Sequence, residues 1–128
     1  MELEKNMKIC VTSQGTTLDA EIDPRFGRCA YFIIVNLDNM EFEAIKNDNA
    51  LSAGGAGTKA GQLLAEKNVS ALLTGNVGPN AFEALHAAEI KIYTQVKGKV
   101  SDAIKRFQNN EFQITTSNTV NSHSGMNI

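Results

Sequence analysis

The chain has 128 residues, with 12 basic and 14 acidic side chains and a net charge of −2. That length suits one domain able to bury about two thirds of its unfolded surface, and so balanced a charge lacks the single-signed field that draws a protein to nucleic acid or anionic lipid. The longest apolar run, Ala30 to Val35, is far short of a membrane span, and Met1 to Asn6 has neither the basic start nor the apolar stretch of a signal peptide, so a cytoplasmic location is expected.

Ordered pattern begins at Met7. Lys8 to Thr12 is a short, nearly continuous apolar run closed by Ser13-Gln14-Gly15, which reads as a strand buried on both faces in the middle of a sheet. Ala30 to Leu37 and Glu41 to Lys46 are β-branched and aromatic, and Asp38-Asn39 between them tolerates the positive φ of a tight hairpin, so an antiparallel pair is expected. The period then changes to about 3.6: Ala60, Leu63, Leu64 and the Lys67 stem share one side of a helix, with Thr58 as its N-cap. Ser70 to Thr74 is another buried strand, and Pro79 occupies a first helical position ahead of Ala81, Phe82, Leu85 and Ala88. Ile90 to Tyr93 alternates as a strand, and Val100, Ala103, Ile104 and Phe107 space as a last amphipathic helix.

The order is therefore β-β-β-α-β-α-β-α in a domain over residues 7–114. Residues 115–128, rich in Ser, Thr and Asn and without period, read as a flexible tail. A meander makes the third strand parallel to the first, and right-handed crossovers make the fourth and fifth parallel to both. The turns after Thr12, Lys46 and Thr74, together with the Gln14 to Arg28 connection, then emerge at one sheet edge, the carboxyl-terminal edge where open α/β sheets bind ligands.

Two glycine clusters lie at that edge, Ala53-Gly54-Gly55-Ala56-Gly57-Thr58 and Thr74-Gly75-Asn76-Val77-Gly78-Pro79, each running into a helix. Such turns present backbone N–H groups at a helix N-terminus, where free donors and the macrodipole favour an anion; the alternative is that they only reverse the chain. Gly55-x-Gly57-x-x-Ala60 is a loose dinucleotide fingerprint without the acidic residue that would hold a ribose, and Gly57-Thr58-Lys59 is followed by Ala60 rather than the Ser or Thr of a phosphate-binding loop. Arg25 and Arg28 are either anion contacts or ion-pair partners of Asp19, Glu21 and Asp23, and Asp23-Pro24 reads as turn chemistry.

Cys10 and Cys29 share no CxxC spacing, and no disulfide is expected. Cys10, in mid-strand, reads as a small core residue. Cys29, beside Arg25 and Arg28, is either a packing residue or a metal ligand, its thiol pKa lowered by those cations. His86 reads as a boundary histidine, and His123 lies in the tail. With no His-x-x-x-His, Ser-x-x-Lys or Gly-x-Ser-x-Gly, the chain lacks the groups of a hydrolase.

At Phe26-Gly27-Arg28, Gly54-Gly55-Ala56-Gly57 and Gly75-Asn76-Val77-Gly78-Pro79-Asn80-Ala81-Phe82-Glu83-Ala84-Leu85, the chain resembles the dinitrogenase iron-molybdenum cofactor biosynthesis family, which includes NifX and the carboxyl-terminal part of NifB. The resemblance covers about Met7 to Phe107 and implies a three-layer α/β/α, ribonuclease-H-like domain with a five-stranded mixed sheet. It further implies a non-catalytic carrier of an iron-sulfur cluster or iron-molybdenum cofactor precursor, passed between metallocluster assembly proteins. Arg25, Phe26, Gly27, Arg28, Gly54, Gly55, Gly57, Thr58, Gly75, Asn76 and Gly78 would surround the cargo, with Cys29 as the metal ligand. Many relatives carry a histidine where this chain has Arg25, and Asn49 to Ser52 offers neither histidine nor cysteine. Nuclease activity is not implied, because the strand Ile9 to Thr12 lacks the aspartate that would hold a catalytic metal. The alternative is a metal-free interaction module for a small anion or partner protein; an enzyme acting on a nucleotide is the weakest reading.

Overall fold

Alternating burial decides the architecture. In β1 (Lys8–Ser13), Ile9 and Val11 enter one core while Cys10 enters another on the opposite face, so the strand needs cover on both sides. The computed structural model describes residues 6–51 and 54–121, and it places β1 at the centre of a sheet ordered β3-β2-β1-β4-β5. β2 (Tyr31–Asn36) runs antiparallel to β1 and to β3 (Phe42–Lys46), whereas β4 (Ala71–Leu73) is parallel to β1 and to β5 (Lys91–Tyr93). Helices α1 (Ala56–Glu66) and α2 (Pro79–Ala87) cover one face, burying Ala60, Leu64, Ala81 and Leu85 against Phe32, Ile34, Leu72 and Ile92. Helix α3 (Val100–Gln108) covers the other, packing Val100, Ala103 and Ile104 with Ile9, Val11, Ile33 and Leu73. This is the expected three-layer α/β/α, ribonuclease-H-like fold with a five-stranded mixed sheet.

Two local expectations are corrected. In the hairpin the positive φ falls on Met40 (60°) rather than on Asp38 or Asn39, because the turn spans one more residue: the Met40 N–H donates to the Asn36 carbonyl and the Asn36 N–H to that of Glu41. Helix α1 starts before Thr58, with Gly55 as N-cap at φ 75° and Thr58 already inside the first turn. Glycine takes that left-handed conformation without the Cβ clash that threonine would meet.

All three helices end alike. The residue past each C-cap, Asn68, Glu89 or Asn110, has φ near 60°, and paired bonds reach back into the last turn, as from the Val69 N–H to the Leu64 carbonyl and from the Asn68 N–H to that of Ala65. These are Schellman closures made without glycine.

Past α3, the chain through Asn121 has neither helix nor strand. It is nevertheless tied down: the Thr115 N–H donates to the Ile92 carbonyl, and the Thr119 and Val120 N–H groups donate to that of Val77. His123 lies outside the described residues.

The carboxyl-terminal sheet edge is closed by a buried hydroxyl pair. Thr12 Oγ1 donates to the Asp23 carbonyl at 2.6 Å and lies 2.8 Å from Thr74 Oγ1, joining β1, the Asp23 turn and the end of β4. Thr12→Val keeps the shape and removes these bonds, and is expected to cost about 1–3 kcal/mol in chemical denaturation by stranding buried oxygens.

Candidate functional site

The residues between β1 and β2 do most of the work at this edge. Instead of looping into solvent, they pair in passing with several neighbours: Ser13 bridges to Ile22, Glu21 to Lys99 and Arg25 to Asn76. The Asn76 N–H donates to the Pro24 carbonyl at 2.8 Å and the Phe26 N–H to the Asn76 carbonyl at 3.2 Å. Asp23 anchors the turn. Its buried carboxylate accepts the Ala30 and Arg25 N–H groups at 3.1 and 3.2 Å and lies 3.4 Å from Arg25 Nε. Asn47 performs the same service from β3's side, its Nδ2 donating to the Gly27 and Cys29 carbonyls at 2.9 Å each.

The glycines divide into two kinds. A Cβ on Gly75 would lie 2.6 Å from Pro24 Cα, one on Gly27 3.0 Å from Gly57 Cα, and one on Gly57 2.8 Å from Ala81 Cβ. In these positions the side chain is absent so that backbones can touch: Gly75 receives the Pro24 turn, and Gly57, with Gly61 against Ala84, lets α1 and α2 approach closely. Gly54 and Gly55 have nothing within 4 Å of a Cβ, and Gly78 only the Asn121 carbonyl at 3.9 Å. These three are the open glycines of the two clusters.

The consequence is a pair of helix N-termini side by side. Neither α1 nor α2 has a side-chain cap or an acidic residue in its first turn. In α1 the Ala56, Gly57 and Thr58 N–H groups precede the first helical bond, from the Lys59 N–H to the Gly55 carbonyl; in α2 those of Asn80 and Ala81 precede the bond from Phe82 to Gly78. Both dipoles place their positive ends at one edge, near which Arg25 is exposed and Arg28 half-buried. Arg28 Nη1 donates to the Ala50 carbonyl at 2.9 Å and makes no ion pair among the described residues.

The structure therefore brings Arg28, Gly54, Gly55, Thr58, Asn76 and Gly78 to one edge, with Arg25 beside them held by Asp23. It places Phe26 elsewhere: its ring is buried and meets Phe32 edge to face at 6.0 Å, a core anchor for the turn. Cys29 is also in that core with no exposed surface. Burial first, and the nearby Asp23 charge second, push its thiol pKa far up, opposite to the lowering expected from neighbouring arginines; burial does the same for Cys10. The expected cation effect fails because Arg25 turns to Asp23 and Arg28 to Ala50. His86 is exposed and stacks on Phe82, 5.7 Å between centroids.

Asn47, Gln95 and Thr119 escaped the sequence reading. Asn47 sits in Asn47-Asp48-Asn49, a pattern suited to side-chain-to-backbone turns. Gln95 and Thr119 meet the second glycine cluster only through the tertiary fold.

Substitution should separate the two kinds of glycine. Gly75→Ala forces Pro24 aside and is expected to cost about 1–3 kcal/mol, whereas Gly54→Ala should stay within about 0.5 kcal/mol of the parent in denaturant titrations. A thiol reagent at pH 8 should leave Cys10 and Cys29 unmodified in the folded protein and label both on unfolding. Because folding raises both thiol pKa values, the associated stability is full below their ordinary value of 9.0 and is lost as pH rises above it.

Comparison with known proteins agrees with this architecture. The apo form of the orange protein from Desulfovibrio gigas superposes with a TM-score of 0.86 at 38% identity, covering 91% of this chain and 100% of that one. A putative NifB protein from Thermotoga, TM1290, gives 0.79 at 36% identity over 89% of this chain and 97% of its own. The uncharacterized protein MJ0580 of Methanocaldococcus jannaschii is 32% identical over 106 residues, 80% of this chain and 86% of its own length. Residues 7–110 match the family described as dinitrogenase iron-molybdenum cofactor, and the chain belongs to that family.

Proposed function

We propose that this protein is a small, non-catalytic carrier that holds an anionic, sulfide-rich metallocluster, either iron-sulfur or an iron-molybdenum cofactor precursor, as cargo at the carboxyl-terminal sheet edge. The observation that carries the reading is the pair of uncapped helix N-termini, brought together by Gly57 against Ala81 and flanked by Arg25 and Arg28. Sulfide-bridged clusters carry negative charge and accept hydrogen bonds from backbone N–H groups. The donor set fits cargo held by hydrogen bonds and charge; it does not fit cargo ligated by several side chains. Among the described residues, no three histidine, cysteine or acidic side chains group as a metal site.

Within this reading Arg28 supplies charge from a side chain already fixed by Ala50, while Arg25, partly neutralised by Asp23, contributes less. Cys29 is given a packing role, because using its sulfur as a ligand would require opening the turn that Asn47 clamps and exposing the core. Family membership and the orange protein's description as an apo form both support removable cargo. Exchange with other metallocluster assembly proteins, in the cytoplasm, completes the proposal. Among the described residues no helix is long and apolar enough to cross a membrane.

The test is anaerobic iron, molybdenum and sulfide analysis after incubation with a cluster donor and desalting. Wild type and Cys29→Ala should retain the cargo about equally, and Arg28→Ala should retain it about tenfold more weakly, the effect of losing one charge-assisted contact. Loss of retention in Cys29→Ala with normal folding would overturn the assignment of the site to backbone and arginine. No retention by wild type would favour a metal-free anion-binding module instead.

A further inference from the structure

Among the described residues six non-glycine residues have positive φ; Asn6 is the first described residue, and four others are explained by local structure, Asn68, Glu89 and Asn110 closing helices and Met40 closing the hairpin. The sixth, Gln95 at φ 63°, lies in the connection from β5 to α3, where neither explanation applies. Its contacts lead to the second glycine cluster. The Gln95 N–H donates to the Gly75 carbonyl at 2.8 Å, and its side-chain Nε2 lies 3.3 Å from the same carbonyl and 3.2 Å from Asn76 Oδ1.

These contacts determine which way the Asn76 amide is turned. A backbone carbonyl only accepts, so the Gln95 atom facing Gly75 must be the NH2 group. The Asn76 atom facing that NH2 must in turn be its oxygen. A second contact to that oxygen comes from Thr119. The Thr119 hydroxyl accepts the Val77 N–H at 3.0 Å, and its one proton faces two acceptors, Asn76 Oδ1 at 3.2 Å and the Val77 carbonyl at 3.4 Å, of which Asn76 Oδ1 is the nearer. Gln95 Nε2 fixes the oxygen and the Thr119 hydroxyl, its proton shared with the Val77 carbonyl, supports it, while the backbone of Asn76 is pinned on both sides by Pro24 and Phe26. The Asn76 NH2 group makes no hydrogen bond among the described residues, and Asn76 is half-buried beside the start of α2.

We infer that Gln95 and Thr119 are positioning residues, which lock the Asn76 side chain with its NH2 outward as a pre-oriented donor to the anionic cargo. The inference rests on the proposed reading of this edge as a cargo site. An amide free to rotate would present its oxygen as often as its NH2, and an oxygen repels an anion; orientation turns a neutral side chain into a donor. It also gives the carboxyl-terminal segment a purpose there, since Thr119 lies beyond the last helix yet sets a group at the cluster Gly75-Asn76-Val77-Gly78.

The test combines a structural readout with a binding readout. In the apo protein, 15N relaxation of the Asn76 side-chain amide should show a rigid group in wild type and a mobile one in the Gln95→Gly, Thr119→Val double variant; unchanged rigidity would overturn the inference. For binding, tetrathiomolybdate serves as the simplest anion carrying molybdenum and sulfide. Gln95→Gly, which keeps the left-handed backbone at less strain, should retain the parent's thermal midpoint to within about 2 °C yet bind about three- to tenfold more weakly. Thr119→Val should weaken binding similarly and Thr119→Ser should restore it. In an Asn76→Ala background the Gln95 substitution should have no further effect, as a cycle through one shared group requires. Full additivity there, or affinity that falls only with stability, would contradict positioning through Asn76. If wild type binds no anion, the carrier reading is what fails, and side-chain relaxation still decides whether Gln95 and Thr119 orient Asn76.

Discussion

The contact on which the rest of this edge depends is backbone against backbone, at Gly75 on Pro24 and Gly27 on Gly57. Both contacts seat the turn from Asp23 to Cys29 between the two glycine clusters, and both exist only because a Cβ is missing. Once the turn is seated, Phe26 and Cys29 enter the core beneath α1 and α2, the Asp23 carboxylate is buried against Arg25 and Ala30 N–H donors, and Arg28 reaches Ala50. The same scarcity of side chains continues into the helix seam, where Gly57 and Gly61 meet Ala81 and Ala84 and bring two helix N-termini together. Architecture and electrostatics at the site thus share one cause.

That cause alters how the glycine clusters are understood. In the sequence they suggest a main-chain cradle in which every glycine faces the ligand. In three dimensions Gly27, Gly57 and Gly75 serve internal packing, and Gly54, Gly55 and Gly78 remain open. The packing glycines make the cradle possible, and of them Gly57 also offers it an N–H group ahead of the first helical bond.

Much of the fold was legible because burial alternates so plainly: Ile9 and Val11 against Cys10, Ile33 and Val35 against Phe32 and Ile34, with Pro79 marking the start of α2. Capping was less legible, since a threonine at the head of α1 suggested an N-cap that Gly55 takes by adopting φ 75°. Cys29 showed the limit of neighbourhood reasoning. Adjacent arginines in sequence imply a lowered thiol pKa, but burial raises it, and the arginines are engaged elsewhere. Gln95 and Thr119 carried no local signal at all, because their meaning comes from meeting Asn76 across 19 and 43 residues.

A carrier that holds its cargo by N–H groups and charge, rather than by strong ligands, is suited to releasing it, since no metal–ligand bond must break for transfer. The claim that separates this account from thiolate ligation is that backbone amides are the principal contacts. It is tested most directly by mapping amide 1H–15N shifts while a cluster species is added anaerobically to the protein. The largest changes are expected at Ala56, Gly57 and Thr58, at Asn76, and at Asn80 and Ala81. Changes centred on Cys10 and Cys29, or spread over the opposite sheet edge, would contradict it.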